Sequence, residues 1–163
     1  MTPNSHHPAL DVDTRTDPGW PAAGLFLDAF ARRDFAGVSA CLAPDVCFRA
    51  LVPPGAFTTV GAAAAVGHLE RWFGGADSFE VVDASIGQLG SRIYLRWRVR
   101  MRSVSNPNAA RVVEQHAFAT VTGHIQSLDL LCSGFQIEDT APITALDCCP
   151  TERLVPTQNG AKP

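Results

Sequence analysis

The stretch RIYLRWRVRMR, residues 92–102, alternates arginine or tyrosine with large apolar side chains over its whole length. Successive side chains of a β-strand point to opposite faces, so one face is wholly apolar and the other carries five arginines. The apolar face comprises Ile93, Leu95, Trp97, Val99 and Met101. This alternation predicts a half-buried antiparallel strand whose apolar face belongs to the core.

The arginine face has two interpretations, a nucleic-acid surface and an outer face covered by solvent or by a second subunit. Stacked guanidinium groups repel one another, so we expect acids such as Glu80, Asp83 and Asp129 to pair with them across the sheet. The formal net charge of the chain is -3, and Tyr94 is the only aromatic residue among the arginines. The sequence therefore favours the outer face and predicts no nucleic-acid partner.

Composition and length are typical of one globular domain, with 163 residues, 46 % hydrophobic and 18 % charged. No apolar run approaches the roughly 18 residues of a membrane span, and the N-terminus lacks the apolar centre of a signal peptide. We therefore expect a cytoplasmic protein with no membrane partner. The five cysteines are an odd number without a secretion signal, which argues against a disulfide framework. They lack a CxxC spacing, which argues against a structural zinc site.

The chain divides into a flexible leader, residues 1–19, an α+β domain, residues 20–136, and a poorly ordered tail, residues 137–163. Helical spacing begins at Pro21, Asp34 is expected to cap a short second helix, and residues 61–73 form a third. Strands are predicted at residues 46–52, 79–86, 91–102, 111–121 and 124–135, with a turn at 106–108. This order predicts helices packed on one face of a curved sheet.

Several segments in this order resemble a SnoaL-like domain of the nuclear transport factor 2-like superfamily, which also holds ketosteroid isomerases and limonene epoxide hydrolases. They are FLDAFARRDFAGVSACLAPDVCFRALVPPG (26–55), WFGG (72–75), FEVVDASIG (79–87), LRWRVRM (95–101), VVEQHAFATVTGHI (112–125) and LDLLCSGF (128–135). The resemblance implies a cone, in which a strongly bent antiparallel sheet wraps around three N-terminal helices. It also implies a pocket in the concave face and a homodimer.

The catalytic groups of these relatives are not intact in this sequence. The base, the tyrosine and the acid of the isomerases fall near Ala50, at Phe26 and near His116. The inward arginine and aspartates of the epoxide hydrolases fall at Leu95 or Trp97 and at Leu130. By this resemblance, the predicted substrate-binding residues are Trp97, Phe118, Leu130, Phe26, Ala50, Leu95 and, at the pocket mouth, His68.

The same alignment turns Glu114, His116 and Phe118 inward and Gln115 outward. The functional interpretation makes His116 a general acid or base, with Glu114 as its orienting or proton-accepting partner. The alternative is a hydrogen-bonded pair that only fills polar space. His68 is otherwise half-exposed and inert, and the direction of Arg49 depends on one residue of strand register.

Two functions follow. The first is cofactor-independent acid–base chemistry, such as cyclisation, isomerisation or epoxide opening, on a hydrophobic polyketide-, terpene- or steroid-like substrate. The alternative is a non-catalytic ligand-binding or dimerisation module with the same fold. The expected partners are a hydrophobic small-molecule substrate and a second copy of the chain, and no cofactor or metal is expected.

Overall fold

The computed structural model describes residues 19–103 and 106–138, with side chains described outside 104–108. The predicted leader, apart from Gly19, and the predicted tail beyond Glu138 lie outside the described residues.

The helices are α1 (Gly19–Ala31), α2 (Phe35–Cys41) and α3 (Ala62–Phe73). Asp34 caps α2 as predicted, because its Oδ1 accepts a hydrogen bond of 2.8 Å from the backbone N–H of Gly37. Phe73 is the last residue of α3, and Gly74 follows it as the cap. The three predicted helices are thus confirmed.

The strands lie in the order β2-β1-β6-β5-β4-β3, and only β1 and β6 run parallel among these neighbours. A short β7 pairs with the start of β5. Their bounds are β1 Leu42–Val52, β2 Gly55–Val60, β3 Ser78–Leu89, β4 Arg92–Ser103, β5 Asn106–Thr122, β6 His124–Cys132 and β7 Gln136–Ile137.

Three sequence predictions are corrected here. The sequence predicted no strand after Pro53 and Pro54, because two prolines mark a break. The structure has β2 directly after them, paired with β1. The sequence also did not predict β7, because this strand is only two residues long. The turn predicted at residues 106–108 belongs to β5, whose Asn106 already pairs with Ser103.

The fold class is confirmed as α+β, with three helices packed on a strongly curved, unclosed sheet. Trp97 is fully buried at the centre of the core. Its ring centroid lies 6.0 Å from that of Phe26 and 5.4 Å from that of Phe30, both on α1. We call the side of the sheet that carries Trp97 the inner face and the opposite side the outer face.

The strand at one end of the sheet, β3, contains an irregularity. Its register against β4 shifts between Val81 and Asp83, so Val82 has no partner opposite and is 37 % exposed. An extra residue of this kind bends the strand and increases its twist.

Candidate functional site

The register of β4 against β5 decides which side chains face the core. Trp97 pairs with Gln115, and Arg96 pairs with His116. Directly opposed residues of antiparallel strands point to the same side, so Gln115 lies on the inner face. Glu114 and His116 lie on the outer face with the arginines. The prediction that they face the pocket beside Trp97 is wrong.

The physical reason is the space that α1 leaves above β5. Gln115, Ala117 and Ala119 are fully buried, and the two alanines are small enough to lie under the aromatic side chains of α1. Phe118, predicted to face inward, lies on the outer face with its ring centroid 5.3 Å from that of Tyr94. A shift of one residue in an alignment reverses every side chain of a strand.

The arginines of the outer face pair with acids, as the sequence predicts. Arg96 donates from Nη1 to Asp83 over 2.6 Å, and Arg100 lies 3.5 Å from Glu80. Arg100 also contacts Glu138. These pairs balance the charges of Arg96 and Arg100 and make this part of the outer face an ionic network.

Arg49 faces outward, which settles the direction that the sequence left open. It donates to both carboxylate oxygens of Asp129 over 2.5 and 2.7 Å, and Arg92 donates to the same carboxylate over 2.6 Å. The hydrogen bond from Arg49, with a further one from Arg92, lowers the pKa of Asp129 from its usual value. Asp129 is therefore the anionic centre of this half of the outer face.

A hydrogen-bonded chain connects Tyr94, His116 and Glu114 on the outer face. The hydrogen bond from Arg96 lowers the pKa of Glu114, so this carboxylate is ionised and only accepts. His116 Nε2 lies 3.1 Å from Glu114 Oε1 and therefore donates to it. His116 Nδ1 lies 2.6 Å from the Tyr94 hydroxyl. In the neutral ring this nitrogen accepts from that hydroxyl. The catalytic roles assigned to His116 and Glu114 stay predictions.

Gln115 is the only buried polar or charged side chain within residues 19–103 and 109–138. Its Oε1 accepts a hydrogen bond of 2.9 Å from Trp97 Nε1, and its Nε2 lies 3.4 Å from Cys132 Sγ. Sequence reasoning placed Gln115 outward and missed this group. The sequence held only an indirect signal, because the indole N–H of a buried Trp97 needs an acceptor.

An apolar cavity of about 290 Å³ lies where the end of β1, the last turn of α3 and the end of β6 meet. We call it the mouth cavity. Its aromatic walls are Trp72 and Phe135, and both rings contact Phe73, with centroids 6.4 and 5.9 Å away. The lining residues are Val52, Pro53, Pro54, Trp72, Cys132, Gly134 and Phe135.

Gly134 shapes this cavity through its backbone. Its φ is +79°, in the left-handed region that favours glycine, and a Cβ there would lie 2.6 Å from Pro53 Cγ. Its N–H points to Cys132 Sγ over 3.4 Å. Glycine therefore lets β6 end against Pro53 and leaves the thiol in the cavity wall.

The predicted substrate-binding residues lie in three places, namely the core, a groove on the outer face and, for His68, an aromatic cluster. The mouth cavity is lined by other residues. Phe26, Leu95 and Trp97 are fully buried in the core. A shallow groove of about 390 Å³ on the outer face, beside β2, includes Ala50, Phe118 and Leu130 in its lining. Whether these residues bind substrate stays a prediction.

His68 lies within an aromatic cluster close to the mouth cavity. Its ring stacks on Phe57 at 4.2 Å, and its centroid lies 5.9 Å from that of Trp72. Burial, with the nearby charge of Arg71, lowers the pKa of His68. Arg71 donates to Nδ1 over 2.7 Å, which leaves the proton of the neutral ring on Nε2.

The sequence profile of the SnoaL-like domain matches residues 24–127, and the chain belongs to this family. Its fold is similar to that of a candidate polyketide cyclase from Xanthomonas campestris pv. campestris, at 22 % identity and a TM-score of 0.56 over 72 % of this chain and 90 % of that chain. An LEH-like epoxide hydrolase of M. tuberculosis gives 20 % identity and a TM-score of 0.54 over 71 % and 82 % of the chains.

A second candidate polyketide cyclase, from Pseudomonas putida KT2440, gives 18 % identity and a TM-score of 0.54 over 67 % and 86 % of the chains. At these identities the likeness establishes the fold, and function has to be argued from the site. A search of curated proteins gives no match. Within the part of the chain that the structure describes, no helix is both long and apolar enough to span a bilayer.

Proposed function

We propose that the protein binds an apolar small molecule in the mouth cavity. The observation that carries this proposal is the pair of aromatic walls, Trp72 and Phe135, around a partly enclosed space. Both rings rest on the buried Phe73, so they are held in place before a ligand arrives. Walls that need no ordering reduce the entropy cost of binding.

Size and charge narrow the ligand class. Small-molecule sites measure about 300–1,000 Å³, so 290 Å³ is at the lower end and favours a ligand of about one or two rings. Among the described residues, no carboxylate, imidazole or guanidinium group lines the cavity. Its affinity therefore comes from burial of apolar surface, which favours a terpene or a short polyketide over a steroid.

The absence of an acid or base from this lining favours ligand binding over proton transfer at the same place. The Glu114–His116 pair, on which the acid–base hypothesis depends, lies on the other face of the sheet. The family assignment supports the choice of ligand class, because its similar structures include a candidate polyketide cyclase and an epoxide hydrolase.

Thermal unfolding tests this proposal with 1-naphthol, limonene and progesterone as probes. A ligand present at a hundred times its Kd stabilises the folded state by about 2.7 kcal/mol and raises Tm. We expect naphthol and limonene to raise Tm and progesterone to have the smallest effect.

Two tryptophan variants locate the effect. Trp72→Ala removes one wall and should weaken binding about tenfold or more, which corresponds to about 1.4 kcal/mol. Trp20→Ala, on α1 and outside the lining, is the matched control and should bind like the wild type. Equal affinity of the wild type and Trp72→Ala contradicts the proposal.

A second candidate function is acid–base chemistry on the outer face. The observation that favours it is the chain from Tyr94 through His116 to the ionised Glu114. An imidazole that has a hydroxyl at one nitrogen and a carboxylate at the other is arranged to take and return a proton. Phe118, whose ring contacts Tyr94, belongs to the outer groove, where a substrate would lie.

Turnover of apolar epoxides, enones and poly-β-ketones, followed by mass spectrometry, tests this candidate. His116→Ala and Glu114→Gln should each lower turnover by about 10²–10⁴. Thr120→Ala, exposed on the same strand, is the control and should leave turnover unchanged. If turnover is unchanged in both variants, neither residue takes part in the proton transfer.

A further inference from the structure

The thiol of Cys132 occupies a special position in the mouth cavity. Cys132 is the last residue of β6 and follows the inward alternation of Leu128 and Leu130, so its side chain lies toward the inner face. It lines the cavity and is half-buried. A ligand held between Trp72 and Phe135 therefore meets a sulfur atom in an otherwise apolar wall.

Two N–H groups point at this sulfur from the protein side. Gln115 Nε2 and the backbone N–H of Gly134 each lie 3.4 Å from Cys132 Sγ. The amide of Gln115 cannot present its oxygen instead, because that oxygen accepts the N–H of the buried Trp97. N–H donors aimed at an atom stabilise negative charge that develops on it, and the thiolate is the nucleophilic form of cysteine.

The other described cysteines have different surroundings. The Cys41 thiol donates to the carbonyl oxygen of Gly37 over 3.3 Å, and burial, with the charge of Asp34, raises its pKa. Cys47 lies on β1 between the buried Val46 and Phe48 and so points to the outer face. Both serve as internal references, since they share the protein and the solution with Cys132.

We infer that Cys132 captures apolar α,β-unsaturated carbonyl compounds that enter the mouth cavity, by conjugate addition. This inference rests on the proposed binding function, which supplies the ligand at the thiol. The ligand class combines a flat apolar ring system, which the aromatic walls accommodate, with an electrophilic carbon for the sulfur.

The addition balances without a further reactant. The sulfur electron pair forms the S–C bond at the β-carbon, and the electrons of the carbon–carbon double bond move toward the carbonyl oxygen. The thiol proton ends on the α-carbon of the adduct. All atoms of both reactants are retained, and neither partner is oxidised or reduced.

The experiment uses the full chain and two probes of nearly the same shape. N-phenylsuccinimide cannot react and reports reversible binding through the rise in Tm. N-phenylmaleimide carries the electrophilic double bond, and peptide mapping after a substoichiometric pulse gives a separate rate for Cys132, Cys41 and Cys47. Mapping also separates Cys148 and Cys149, which lie outside the described residues.

We expect Cys132 to react about tenfold or more faster than Cys41 and Cys47, in line with its surroundings. Excess N-phenylsuccinimide should protect Cys132 and leave the other two rates unchanged. In Gln115→Met, which lacks the amide donor, the ratio of the Cys132 rate to the Cys47 rate should fall several-fold. The comparison of the three cysteine rates in the wild type does not depend on whether any variant folds.

The outcomes separate the two proposals. If N-phenylsuccinimide binds but Cys132 reacts no faster than Cys47, the inference about the thiol is wrong and the binding function stands. If the probe gives no stabilisation and no protection, the mouth cavity does not bind such rings and both proposals fail. Fast but unprotected modification of Cys132 also overturns the inference, because the reagent then reaches the sulfur without the cavity.

Discussion

Trp97 and Arg96 are neighbours on β4, and their surroundings show how differently the two faces of one sheet are stabilised. Trp97 is fully buried against Phe26 and Phe30, whereas Arg96 lies partly exposed between Glu114 and Asp83. Burial of apolar area contributes about 25 cal/mol per Å², so a large ring contributes several kcal/mol. An exposed ion pair contributes about 0–1 kcal/mol.

The inner face therefore provides most of the stability of the sheet, while the outer face holds its arginines beside carboxylates. It also separates the two candidate functions, since the mouth cavity belongs to the inner face and the Tyr94–His116–Glu114 chain to the outer face.

The largest effect is expected from Trp97→Ala. It empties the centre of the core and leaves Gln115 Oε1 without its donor, so the free energy of unfolding should fall by about 3–5 kcal/mol. Urea denaturation measures this loss. Arg98→Ala, one residue further along β4 and exposed, should stay within about 0.5 kcal/mol of the wild type. Similar losses for both variants would contradict the contrast between the faces.

A smaller effect is expected from Gln115→Leu, which nearly conserves volume but leaves the buried Trp97 N–H without an acceptor. The cost should be about 1–3 kcal/mol, again measured by urea denaturation. Adding Trp97→Phe removes the unsatisfied N–H, so the double variant should lose less than the sum of the two single variants. Strict additivity would mean that the hydrogen bond between these side chains contributes nothing.

The smallest effect is expected on the outer face, from Asp129→Asn. The folded-state pKa of Asp129 is lowered below its usual 3.8, chiefly by Arg49. Its contribution is therefore present above the unfolded pKa and is lost as pH falls through the folded pKa. At pH 7 the substitution should cost about 0.5–1 kcal/mol, and the variant should lose less stability than the wild type between about pH 5 and pH 2.

Unfolding free energies measured across this pH range at low and high salt check the prediction. Salt should reduce the difference between Asp129→Asn and the wild type, because exposed pairs are screened. Asp45→Asn, exposed on β1, is the control. If the unfolding free energies of the wild type and Asp129→Asn fall equally as the pH is lowered, the arginines do not stabilise this carboxylate.

Local patterns in the sequence predicted most of the fold. The alternation of β4 predicted its buried side, because each apolar residue from Leu95 to Met101 is followed by an arginine and Ile93 by Tyr94. Asp34 predicted the start of α2. The faces of β5 were not predictable in the same way. Its outer face carries Phe118 and its inner face Gln115, so polarity does not distinguish the two sides.

The mouth cavity was not predictable from any single segment. It forms because β1 and β6 run parallel, which places Leu51 beside Leu131 and brings the residues that follow each strand together. Pro53 and Phe135 are therefore neighbours in space although their segments are far apart in the chain. Pairing between distant strands depends on the whole sheet, and no local periodicity encodes it.

The irregular position of Val82 has a consequence for how the protein behaves in a crowded solution. A long strand at the margin of a sheet offers its backbone groups to any extended chain that approaches, which is how fibrils begin. The extra residue interrupts that row of donors and acceptors midway along β3. We therefore expect this margin of the sheet to be a poor template for fibril growth.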